Sequence, residues 1–112
     1  MNRRKEINSE YKARKLIGGV YTITNTVNGK YLIGYTANLK SMQNRFQFAI
    51  TTGSTVHPKL QKDWEEYGSQ VFKFEVVEEL EQKPDQSQGD FVEDLKTLEQ
   101  MCRTNLDESK EY

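Results

Sequence analysis

The sequence predicts an α+β fold, a small three-stranded sheet flanked by helices, and three observations carry that prediction. Asn28-Gly29 sits between two apolar runs, "GVYTITNTV" and "KYLIGYT", the strongest short-range signal for a β-hairpin. Apolar residues recur at helical spacing after Asn38, from Pro58 and from Asp90. Between the last two of these stretches, "VFKFEVV" alternates Phe72, Phe74 and Val76 as a strand does. At 112 residues the chain makes one globular domain, placed at 18–112 behind a basic segment at 1–17.

Taken in order, residues 3–16 suit a basic helix whose sparse apolar side is Ile7, Tyr11 and Leu16, ended by Gly18-Gly19. In the hairpin, a two-residue type I′ turn at Asn28-Gly29 pairs Val27 with Lys30. Tyr21, Ile23, Asn25, Lys30, Leu32 and Gly34 then share one face, while Val20, Thr22, Thr24, Tyr31, Ile33 and Tyr35 share the other. Asn38 caps a helix that buries Leu39, Met42, Phe46, Ala49 and Ile50. A second helix starts near Pro58, buries Leu60, Trp64 and Tyr67, and closes at Gly68. After the third strand, "EQKPDQSQGD" is a loop, and a last helix from Asp90 aligns Phe91, Leu95, Leu98 and Cys102.

Composition narrows the function classes. Cys102 is the single cysteine, so no internal disulfide forms and a cytoplasmic, reducing compartment is expected. The first residues have no apolar leader region, and no stretch is long and apolar enough to span a membrane. The net charge of −1 conceals a division: residues 1–50 carry nine Lys/Arg against two Asp/Glu, residues 51–112 seven against fifteen. Such polarity suits a basic face on a phosphate backbone, or equally a fold in which the two halves neutralise each other. One His and one Cys cannot make a zinc site, and His57 before Pro58 reads as a surface residue at a helix start.

Three polar residues stand where core-facing neighbours are expected: Tyr21 on the first strand, Arg45 before Phe46, and Glu99 at the margin of the last helix's apolar stripe. Each has a structural reading, as a packed aromatic, a surface arginine and a solvated carboxylate. Converging on one concave sheet face, they make a phosphodiester-hydrolysing set. A carboxylate holds a divalent cation, an arginine neutralises charge on the phosphorane, and a tyrosine orients or deprotonates water.

"GVY" at 19–21, the hairpin "NTVNGKYLIGYT", then "NLKSMQNRF", "HPKLQKDWEEYG" with "VFKFEVVEEL", and "LKTLEQM" together resemble the GIY-YIG nuclease superfamily, in particular its small stand-alone bacterial members. The resemblance spans roughly residues 17–102, in order. It implies a three-stranded antiparallel sheet flanked by helices and a DNA endonuclease leaving 5′-phosphate and 3′-hydroxyl ends. It makes Tyr21, Arg45 and Glu99 catalytic, with Glu99 holding a single Mg²⁺ (or Mn²⁺) ion. Lys30, Gly34, Lys40 and Arg45 become the nucleic-acid contacts. The chain departs from the pattern in three places. Leu32 takes the position of the second motif's tyrosine, Ala49 that of a histidine one turn after the arginine, and no asparagine follows Asn105. Sequence specificity is then expected to come from a partner or a homodimer. The alternative is a catalytically impaired nucleic-acid-binding or protein-interaction domain of the same fold.

Overall fold

The computed structural model describes residues 17–112, so the basic helix expected over 3–16 lies outside the described residues. The sheet has the order β2-β1-β3, with β1 (Ile17–Asn25) antiparallel to both β2 (Tyr31–Thr36) and β3 (Phe72–Glu81). Helices α1 (Leu39–Thr52) and α2 (Gln61–Tyr67) cover the face bearing Tyr21, Ile23 and Leu32. Helix α3 (Gln88–Arg103) covers the face bearing Val20, Tyr31 and Ile33. No helix among the described residues is long and apolar enough to cross a membrane.

The hairpin loop is longer than expected. Asn25 and Lys30 close the ladder, with Asn25 N–H donating to Lys30 O at 2.8 Å, and Thr24 pairs with Tyr31. The cause is side-chain competition for the backbone. Asn25 Oδ1 accepts from Val27 N–H at 2.9 Å, and Asn28 Oδ1 accepts from Lys30 N–H at 2.9 Å. A type I′ turn needs positive φ at both central residues, but only Gly29 has it, at 77°. Because pairing shifts by an even number of residues, every side chain keeps its expected face.

Strand β3 runs to Glu81 and carries a bulge: Val20 opposes Glu78 while Tyr21 opposes Val76, leaving Val77 unpaired. The extra residue flips the alternation. Phe72, Phe74 and Val76 share the α1 side with Tyr21, whereas Glu78 and Leu80 oppose Val20 and Gly18 on the α3 side.

The helices end where their caps dictate. Asn38 accepts from Ser41 N–H at 3.0 Å, and Gly53 at φ 78° donates to Ala49 O to close α1. His57 caps a short 3₁₀ turn at Pro58–Leu60, accepting from Lys59 N–H through Nδ1 at 3.1 Å, so its role is structural. Ser87 caps α3 through Asp90 N–H and starts the helix at Gln88, two residues before the expected Asp90. Trp64 is buried as expected, but Tyr67, the last residue of α2, is left 39% exposed as the chain turns away at Gly68.

Candidate active site

Packing fixes Tyr21. Its ring stacks on Phe74 at 5.2 Å, and Phe74 leans on Phe46 of α1 at 5.7 Å. Phe46 meets Trp64 edge-on and Trp64 stacks on Phe72, so the phenol ends a run of five touching aromatic rings. Across the ladder stands Gly34, and a methyl group there would lie 2.8 Å from the Tyr21 hydroxyl and 3.0 Å from Cζ. Glycine is required at this position by the ring that lies over it, not by backbone conformation.

Two opposite charges reach the Tyr21 hydroxyl. Burial pushes the phenol above its ordinary 10.0, the Arg45 guanidinium pulls it down, and the Glu99 carboxylate pushes it up. Arg45 comes from α1, exposed beside the buried Phe46 that anchors the helix to the sheet. Glu99 comes from α3, on the opposite face. Arg45 and Glu99 thus come from helices on opposite faces of the sheet, and the Tyr21 hydroxyl is the group that both charges act on. Gly34 carries no side chain, so the phenol extends over this edge strand.

Glu99 is held in place. Arg103 Nη2 donates to Glu99 Oε1 at 2.5 Å, and Arg103 Nη1 donates to Glu111. Glu111 bridges to Tyr31 on the free edge of β2, where Tyr112 N–H donates to Tyr31 O at 2.8 Å. Among the described residues no group of three or more His, Cys, Asp or Glu is placed to hold a metal ion. A single carboxylate suits a hard cation that keeps most of its water and takes further ligands from phosphate. Glu99 fits such an ion if Arg103 yields Oε1.

Of the other expected residues, Gly34 and Arg45 stand beside the phenol. Lys30 does not: it lies at the loop end of the hairpin, about 13 Å along the ladder from Gly34, with its ammonium 5.9 Å from the Tyr112 ring. Lys40 is exposed in the first turn of α1, about 140° round the helix from Arg45. Leu32 faces the same side as Tyr21 but is 6% exposed, a core residue. Tyr31 points to the other face, donating its hydroxyl to Asp107 O at 3.0 Å. Arg103 and Glu111 were missed from the sequence. Arg103 stands four residues after Glu99, a pairing that helical spacing signals, whereas nothing local marks Glu111.

Among solved structures, the chain is similar to the catalytic domain of homing endonuclease I-TevI, with 22% identity over 85% of this chain and 95% of that domain, at a TM-score of 0.58. The chain has the GIY-YIG fold. A second structure of that catalytic domain, a point mutant, is 23% identical over 72% of this chain and 86% of its own length, at a TM-score of 0.48. The sequence matches no protein-family model and no curated protein. The likeness is thus one of fold, and it agrees with the antiparallel three-stranded sheet and flanking helices that the GIY-YIG resemblance implies.

Proposed function

We propose that this protein is a metal-dependent endonuclease that hydrolyses phosphodiester bonds in DNA. One observation carries the reading: the buried Tyr21 hydroxyl lies over Gly34 within reach of both the Arg45 and Glu99 charges. The endonuclease named in the structural comparison supports it.

The residues divide the work by charge. Arg45, exposed and cationic, binds a nonbridging phosphate oxygen and stabilises the charge that develops on it. With its pKa raised, Tyr21 is a neutral phenol at physiological pH. It orients an attacking water or donates to phosphate. Glu99 would hold the divalent ion, Mg²⁺ or Mn²⁺, which would supply Lewis-acid polarisation of the phosphate. In-line attack with departure of the 3′ oxygen leaves 5′-phosphate and 3′-hydroxyl ends. Sequence specificity comes from a partner or a second copy.

A nucleic-acid-binding domain without chemistry is the second reading, favoured by the burial of Leu32 in the core and by the ion pair that occupies Glu99. Purified protein with supercoiled plasmid and Mg²⁺ or Mn²⁺ separates the two. Nicking that stops with EDTA and in Glu99→Gln is expected, while DNA binding persists. Cleavage that survives EDTA sinks the metal mechanism, and no cleavage with intact binding establishes the second reading.

A further inference from the structure

Arg45 faces two things at once. Its charge reaches the Tyr21 hydroxyl, and its side chain lines a cavity of about 390 Å³ with Asn44, Phe48, Ala49, Ser54, Thr55 and Val56. This cavity lies between α1 and the segment that follows it. Its volume is in the range of small-ligand sites. Ala49 is buried and small, so no side chain at that position fills the space. Phe48 is, among the described residues, the most exposed large apolar side chain, at 66%. Three residues after Arg45 on the same helix, it is a near neighbour of the guanidinium.

We infer that this cavity receives one unstacked nucleobase next to the phosphate held by Arg45, and that the substrate is DNA with an unpaired stretch at the cleavage point. The inference rests on the proposed endonuclease function. Phe48 offers a free ring face, and base-on-aromatic stacking is tolerant of sequence because every base has a π-face. Asn44 provides an amide donor and acceptor, and Ser54 a hydroxyl, for a base edge. A base in a paired duplex must be unstacked and unpaired before it can enter, which costs free energy. A gap or flap has already met that cost. Arg45 fixes the phosphate, and the cavity beside it selects DNA whose neighbouring base is free.

The test uses the full chain carrying Glu99→Gln, so that DNA is bound and not cut. Affinities are measured for a fluorescein-labelled duplex and for the same duplex with a short unpaired gap, with and without Phe48→Ala. Phe48 is exposed, so its truncation leaves the fold intact, which a melting curve verifies. The gapped DNA should bind more tightly, and Phe48→Ala should weaken it by roughly tenfold or more, with a smaller effect on the duplex. Phe48→Trp should restore the preference. An adenine analogue that fluoresces when unstacked, placed in the gap, should be quenched on binding in the presence of Phe48 and not of Ala. Equal affinities for the two DNAs, or equal losses in Phe48→Ala, overturn the inference while leaving the endonuclease intact. Failure to bind either DNA removes both readings.

Discussion

Tyr21 and Gly34 act as one unit: the phenol keeps its place because its cross-strand neighbour has no side chain. Gly34→Ala puts a methyl 2.8 Å from the hydroxyl of a ring already stacked on Phe74, so the ring has to move. Overpacking of this kind costs about 1–3 kcal/mol. The expected outcome is a folded protein with a lower urea midpoint and a nicking rate down at least about tenfold. Unchanged nicking would show that the hydroxyl position is irrelevant. Leu32 tests the same patch from the other side. Leu32→Tyr places a hydroxyl on the face of Tyr21, and nicking should rise if that hydroxyl reaches the cleft, at a stability cost because the site is buried. Tyr31→Phe should leave the nicking rate alone, since its hydroxyl serves Asp107 O on the other face. A dead Tyr31→Phe beside an unaltered Leu32→Tyr reverses the assignment. At this scale the sequence was legible, because the pairing moved by two residues, an even step that leaves Tyr21, Leu32 and Gly34 on one face. The pairing itself was not legible, because it was decided by two asparagine side chains bonding to backbone N–H groups.

Helix α3 carries its apolar stripe to one sheet face and its charged flank to the edge of β2. That division places Glu99 and Arg103, four residues apart, beside a site whose other members lie across the sheet. If Glu99 holds the cation as proposed, Arg103 competes with that cation for the carboxylate, and its guanidinium repels a divalent ion nearby. Arg103→Gln should therefore tighten Mn²⁺ binding several-fold by calorimetry and lower the Mn²⁺ needed for half-maximal nicking. Weaker binding would make Arg103 the group that orients Glu99. The i, i+4 spacing is the one local signal of this pair, and the reading of Glu99 as a solvated carboxylate passed over it. The β3 bulge was not readable, because "VFKFEVVEEL" alternates evenly up to Val76 and nothing in it marks Val77 as the extra residue.

Across the whole molecule, the segment after α3 joins elements far apart in sequence. Tyr31 hydroxyl donates to Asp107 O, Arg103 bonds Glu111, and Tyr112 N–H donates to Tyr31 O at the free edge of β2. Tyr112 then reaches the α2 side, donating its hydroxyl to Asp63 Oδ2 at 2.7 Å, where Asn28 and Asn25 also donate at 3.2 and 3.4 Å. Hairpin loop, α2 and the last residues are thus tied at one carboxylate. A sequence separation of 49 residues between Tyr112 and Asp63 leaves no local trace, so this contact could not be read beforehand.

The knot should make stability fall at both ends of the pH scale. The Tyr112 hydroxyl, ahead of Asn28 and Asn25, holds Asp63 below its ordinary 3.8 against the opposing effect of burial. A depressed folded pKa means the contribution is complete above about 3.8 and lost as pH falls through the folded value. Burial first, and the Asp63 hydrogen bond second, push Tyr112 from 10.0 up to about 12. A raised folded pKa means its contribution is complete below about 10 and lost as pH rises toward 12. Tyr112→Phe keeps the ring and removes the hydroxyl, so it should lower the urea midpoint by a constant amount between about pH 5 and pH 9. The gap between the two proteins should close below about pH 4 and again above about pH 10. Urea midpoints of both proteins across that range measure it. A gap of the same size at pH 3 or pH 11 as at pH 7 would mean that the loss comes from ring packing and that the Tyr112–Asp63 hydrogen bond contributes nothing.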